Sequence, residues 1–322
     1  MLTELFNIIF KDRENMNLKA TKNLITKVLL TLGSVMVLAS CAVEPALMVN
    51  KEPKQTASVW KVTNGENVTY FGGTVHILKE ENFPLPAQYD KAYAASDKLV
   101  FETNIDGMES PAFQQQMMSK IMLTDGTTLQ TRLNEETYAR LKEFMDSRGM
   151  PIANFHPLKP SIVGITVTVM EYQANGLTQE GVDKFYSDKA KADGKEIAWF
   201  ESLEQQLDFI VNMGGDDENG IINYTLDEIA NLPTLIEDML GTWKSGDLAQ
   251  MDEKLVKPMA DGFPQVYEDL IIDRNDAWMP KVIEMLNDKP TEFVLVGAAH
   301  LAGKDSVFAK LEAKGYKIEK LN

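Results

Sequence analysis

Apolar and polar positions alternate in Ser58-Val-Trp-Lys-Val-Thr63 and again in Asn67-Val-Thr-Tyr-Phe71. Asn64-Gly65 between them is a strong hairpin signal, so two antiparallel strands open the folded region. The pattern then predicts a short helix over Pro84 to Ser96 and a strand of the buried type at Lys98-Leu-Val-Phe-Glu102. Ser110-Pro111 supplies an N-cap and a first-turn proline for the next helix. Another runs from an Asn134 cap to a Gly149 stop, with Tyr138, Leu141 and Met145 on one face. From Ser161 to Leu286 the chain reads as mostly helical, interrupted by the acidic loop Gly214-Gly-Asp-Asp-Glu-Asn-Gly220. The tail returns to a strand at Glu292-Phe-Val-Leu-Val296, a helix over Ser306 to Ala313 and a last strand at Tyr316 to Leu321. Strands at both ends of a helical middle predict an α/β fold, with α+β as the variant. Its mixed central β-sheet is built from the N- and C-terminal thirds, and its middle segment is largely helical.

Residues before this region follow a different pattern. Lys19, Lys22 and Lys27 precede the apolar run Val28 to Ala39, which suits a signal-peptide core and is too short to span a bilayer. Leu38-Ala39-Ser40-Cys41 resembles a bacterial lipobox, in which the Cys41 thiol is lipidated; a plain secretory peptide with an incidental cysteine is the alternative. The expected organisation is a signal peptide over 1–40, with an upstream extension at 1–15, a proline-bearing tether over 41–56, and one domain over 57–322. The expected location is the cell envelope, with the protein held at the membrane by its lipid. Ala42, rather than Asp, after the cysteine suggests the outer membrane, facing the periplasm, if the organism has two membranes.

Composition narrows the chemistry. With 44% apolar and 25% charged residues the chain is of ordinary globular type. Its net charge of −16 leaves no basic surface to neutralise phosphates, so nucleic acid is excluded as a partner. One cysteine rules out an internal disulfide framework and a cysteine-rich zinc module. There are three histidines, and two share a context: Gly73-Thr-Val-His76 and Gly297-Ala-Ala-His300 each follow an apolar strand. In an open α/β sheet, ligands bind at the carboxyl ends of strands, where each imidazole is expected. Both residues are expected on rim loops, so that truncating either opens no large cavity. Glu102 ends a third strand. Two histidines and a glutamate can hold a divalent ion and leave positions for water and substrate, although an ion pair between Glu102 and an arginine would explain the acid as well. His156, in Asn154-Phe-His-Pro157, reads as a surface or turn residue.

These features belong to a longer ordered pattern: Trp60, Phe71-Gly-Gly-Thr-Val-His76, Glu102, Gly181-Val-Asp183, Glu201-Ser-Leu-Glu-Gln-Gln206, Trp243-Lys-Ser-Gly-Asp247, Arg274-Asn275 and Val296-Gly-Ala-Ala-His-Leu-Ala-Gly303. The pattern resembles the TraB/GumN family, which includes the Tiki ectodomains, over about Ser58 to Leu321. The resemblance implies a fold like the erythromycin-esterase (EreA)/ChaN group. For the Tiki branch it implies a metal-dependent protease supported by Mn or Co, with Zn possible for the same donors. Carried over, the metal residues are His76, Glu102 and His300, the motif glycines are Gly73 and Gly297, and Glu102, Arg274 and Asn275 are the catalytic candidates. Arg274 could steady an oxyanion or serve as scaffold by pairing with Glu102 or Asp273. Glu201 reads as a helix-start acid in a structural salt bridge, with a general base as the alternative. Two functions follow as expectations: a lipid-anchored, divalent-metal-dependent hydrolase of peptide or protein substrates, or a lipoprotein that binds peptides or envelope components without turnover.

Overall fold

The computed structural model describes residues 56–178 and 180–322; the signal-peptide, Cys41 and tether expectations lie outside them. Six strands form one mixed sheet in the order β4-β3-β5-β2-β1-β6. They are β1 (Val59–Asn64), β2 (Asn67–Thr74), β3 (Lys98–Thr103), β4 (Glu196–Glu201), β5 (Glu292–Gly297) and β6 (Lys317–Lys320). β1 pairs antiparallel with β2 and with β6. The neighbours β2, β5, β3 and β4 run parallel. The hairpin turn is Gly65-Glu66, one residue later than the Asn64-Gly65 reading, because Asn64 pairs with Asn67 and Gly65 takes φ +61°. The larger correction is β4. The sheet is not confined to the outer thirds of the chain, since its edge strand comes from the segment read as helical.

β5 is apolar from Phe293 to Val296 because both its faces are covered. Phe293 and Leu295 join one core and Val294 and Val296 the other, with the two-residue period of a strand. The first core lies under α1 (Ala87–Ala95), α5 (Val182–Asp193) and α8 (Leu232–Ser245); the second lies under α9 (Asp273–Met285) and α10 (Val307–Glu312). A third core belongs to helices alone: α2 (Pro111–Ile121), α3 (Glu135–Ser147), α4 (Pro160–Ala174), α6 (Leu203–Val211) and α7 (Glu218–Ala230). These chain segments leave the sheet after β3, and again after β4. Among the described residues no helix is long and apolar enough to cross a membrane.

At the amino end of the parallel strands Glu292 is only 1% exposed, in register with Thr69 and Lys98. Its Oε2 has no hydrogen-bond partner among the described residues. Burial and the neighbouring Asp288 push its pKa up to about 7. A carboxyl whose folded pKa is raised contributes stability below its unfolded pKa and loses it as pH climbs through the folded value. Glu292→Gln should therefore stabilise the protein at pH 8 by about 2 kcal/mol and change little at pH 4. Urea unfolding at the two pH values checks this; an equal effect at both would exclude titration as its cause.

Candidate active site at the carboxyl ends of four parallel strands

Because β2, β5, β3 and β4 are parallel neighbours, their carboxyl ends share one edge. His76 lies two residues beyond β2, His300 in a 3-10 turn directly after β5 (Ala298–Leu301), Glu102 in the last turn of the pleat of β3, and Glu201 at the end of β4. Close approach explains both motif glycines. A Cβ on Gly73 would sit 3.0 Å from Ala298 Cβ, and one on Gly297 would sit 3.2 Å from Glu102 Oε1. The Gly297 amide instead donates to that oxygen at 2.6 Å.

A buried cation completes the edge. A π turn over Glu268–Ile272 feeds directly into α9, whose first turns bury Arg274, Asn275 and Trp278; such turns offset the helical register and recur at functional sites. Arg274 donates from Nε to Glu201 Oε1 at 2.8 Å, and from Nη2 to Glu102 Oε2 at 2.6 Å and Glu201 Oε2 at 3.0 Å. Its partners are therefore Glu102 and Glu201 rather than Asp273. Trp278 Nε1 also donates to Glu201, at 2.7 Å. Burial works to raise the Glu102 pKa, yet the Arg274 charge, helped by the Gly297 amide, holds it well below the usual carboxylate range. Burial raises that of Glu201, against the pull of Arg274.

The hydrogen bonds fix the His300 tautomer. Asn275 Nδ2 donates to the carbonyls of His300 and Asp305 at 3.3 and 3.0 Å, which turns Oδ1 toward His300 Nδ1 at 2.8 Å. Nδ1 must then carry the proton. Nε2 keeps its lone pair, which accepts from Arg274 Nη1 at 3.2 Å. Burial and the adjacent guanidinium lower the His300 pKa to about 3, so the ring is neutral. It is 4% exposed and packs 4.5 Å, centroid to centroid, from Trp278. The rim-loop expectation thus describes His76, whose side chain is 57% exposed, but not His300, which is enclosed.

His76 Nδ1 stands 3.1 Å from Asp183 Oδ1, and this carboxylate is the main reason that the His76 pKa is raised. Glu102 adds to the rise, as befits two groups on one edge. The structure brings Glu102, Arg274, Asn275 and His300 into direct contact and places His76 beside them. Among the described residues no three His, Cys, Asp or Glu are gathered closely enough to hold a metal ion, the guanidinium being seated among the acceptors. Thr74 Oγ1 and Thr103 Oγ1, at the ends of β2 and β3, are buried without hydrogen-bond partners among the described residues.

Sequence reasoning did not assign roles to Asp183 or Trp278. Trp278 carries a signal in its spacing, four residues after Arg274 and so on the same helix face. Glu201 is a strand end, followed by the true N-cap Ser202. His156 lies in the helical part, 2.8 Å from the Tyr138 hydroxyl. A cavity of about 440 Å³ lies beside the site, lined by residues that include Gln205, Phe209 and Asp269. Phe209 is common to both, since its ring centroid is 5.7 Å from the Arg274 guanidinium.

The model of the TraB/PrgY/gumN family matches residues 58–320. Uncharacterized protein YbaP of Shigella flexneri is 22% identical over 245 residues, covering 76% of this chain and 87% of that protein. YbaP of Escherichia coli (strain K12) is 23% identical over 73% of this chain and 84% of its own length. Metalloprotease TIKI2 of Danio rerio is 22% identical over 78% of this chain, but the match spans only 58% of TIKI2. No solved structure matches.

Proposed function

The chain belongs to the TraB/PrgY/gumN family, and on that footing we propose that it is a divalent-metal-dependent hydrolase of peptide or related acyl bonds, working at the shared strand edge. The observation that carries the reading is the donor chemistry. Glu102 is held ionised and His300 neutral, with its ring set by Asn275, which are the states that metal ligation requires; an ion would have to displace Arg274 Nη1 from the His300 Nε2 lone pair. His76, the third donor, is exposed on the same edge. The similarity to TIKI2, named a metalloprotease, supports the class; Mn or Co is the preferred ion and Zn the alternative.

Held by His76, Glu102 and His300, a divalent ion would supply polarisation of a carbonyl and a water of lowered pKa. The protein's own groups do the rest. Asn275 fixes the His300 ring, Gly297 and Arg274 fix the Glu102 carboxylate, and Glu201 with Trp278 fixes Arg274. In this arrangement Arg274 would place positive charge beside an oxyanion formed at that edge. Anchoring through a lipid on Cys41 would hold the domain at the envelope membrane.

Purified protein should hydrolyse peptide or ester substrates, lose at least 100-fold of that rate on chelation, and regain it with Mn or Co. A protein that retains its full rate in chelator, or that captures peptides without turnover at any added metal, would overturn this function.

A further inference from the structure

We propose that Asp183 is a positioning residue for His76: it holds Nδ1 of the imidazole so that Nε2 faces the strand edge occupied by Glu102 and His300. The inference rests on the reading of His76 as a working residue of that edge. Its geometric basis is separate.

His76 follows β2 on an exposed loop, and an exposed imidazole with no fixed partner would sample several rotamers. The loop is instead laced to the start of α5. Val182 N–H donates to the Val75 carbonyl at 3.1 Å, Leu78 N–H to the Glu180 carbonyl at 3.1 Å, and Thr178 N–H to the Leu78 carbonyl at 2.7 Å. The Thr178 hydroxyl reinforces the last contact at 2.8 Å. The two segments lie so close that a Cβ on Gly181 would be 2.4 Å from the His76 carbonyl carbon and oxygen. Only glycine permits that approach, and the approach sets Asp183 beside His76.

The carboxylate cannot drift. Val182 and Tyr186, on either side of it in the same helix, are fully buried in the core beneath the sheet. Asp183 also sits in the first turn of α5, where a negative charge is stabilised by the exposed amides. Its Oδ1 is buried and makes no hydrogen bond among the described residues, while standing 3.1 Å from His76 Nδ1. This oxygen faces Nδ1 and has no other partner among the described residues, so a proton on Nδ1 is the one it is placed to accept. With Nδ1 held, Nε2 is the ring nitrogen left for chemistry. This matches His300, whose Nδ1 is likewise held, by Asn275. Each Gly-x-x-His imidazole then has its own polar side chain behind it, one from α5 and one from α9.

The test uses Asp183→Asn, which keeps the shape and removes the charge. The protein has three histidines, so long-range ¹H–¹⁵N imidazole spectra of the full chain resolve them, with His76→Gln giving the assignment. The parent should show a downfield, hydrogen-bonded Nδ1 proton for His76. Asp183→Asn should lose it and leave His156 and His300 unchanged. Calorimetric titration with Mn²⁺ should show a ~10–100-fold weaker affinity in the variant, at a melting temperature close to that of the parent. Unchanged His76 signals, or Mn²⁺ bound by the variant as tightly as by the parent, would overturn the positioning role. A parent that binds no Mn²⁺ would overturn the metal reading alone, and the spectra would still decide the role of Asp183. If Asp183→Asn does not fold, Asp183→Glu, which retains the charge and displaces it by one methylene, is read by the same two measurements.

Discussion

Arg274→Met is expected to lower the free energy of unfolding by about 3–5 kcal/mol, the cost of breaking a buried ion pair by removing one partner. Arg274 is 4% exposed, and Glu102 and Glu201 are nearly as enclosed. Methionine fills much of the volume but leaves two carboxylates without their cation and the lone pair of His300 Nε2 without its donor. The diagnosis is sharpened by a second substitution. Glu201→Gln in the Arg274→Met background removes one of the stranded charges and should recover a measurable part of the loss, whereas in the parent it should destabilise. Denaturant unfolding of the four proteins forms a double-mutant cycle, and strictly additive effects would show that Arg274 and Glu201 do not act as a unit. Hydrolysis should vanish in every protein lacking Arg274.

His300→Ala is the next largest effect and separates the two Gly-x-x-His motifs. Truncation leaves Asn275 Oδ1 and Arg274 Nη1 without their partner and opens space against Trp278, at a cost of about 2–3 kcal/mol. His76→Ala removes a side chain that is more than half exposed and should stay within about 1 kcal/mol. Both should abolish Mn²⁺ binding and turnover. Thermal melting alongside metal titration therefore gives one variant that is inactive and nearly as stable as the parent, and one that is inactive and weakened. If the two melt alike, the enclosure of His300 contributes nothing to stability.

Five of the six strands, and the histidines that follow two of them, were legible because each signal was local. An apolar run ending in small residues marks a strand end, and a fully apolar Phe293 to Val296 marks a strand covered on both faces. Glu102 was legible in the same way, as the end of an apolar strand; the resemblance added Arg274 and Asn275, and the alternative of Arg274 pairing with Glu102 was visible as well. What stayed hidden depended on contacts between distant segments. β4 is six residues at a sheet edge, flanked by helices, with Trp199 exposed and Glu and Ala at helix-compatible positions, so its periodicity does not stand out. With β4 unseen, Glu201 looked like the start of a helix instead of the second acid on Arg274. Asp183 and His76 are more than 100 positions apart, and their pairing follows from the passage of Gly181 across the loop. The burial of His300 could not be read from its own segment, because the residues that enclose it come from α9.

The ladder between β3 and β5 ends at Phe101 opposite Leu295, while β5 continues to Gly297 beside β2. In the gap, Glu102 Oε1 accepts the Gly297 amide proton, as a strand carbonyl would. A side chain thus stands in for a peptide group, closing a seam at the tip of the sheet with an acceptor that carries a charge and is shared with Arg274. At the other end of the same strand pair Asp97 Oδ2 accepts the Thr291 amide in the same way, but that rung is exposed, whereas this one lies within the buried cluster. Whatever engages Glu102 therefore pulls on the stitch between two central strands, so that binding at the edge and cohesion of the sheet tip are one property of one carboxylate.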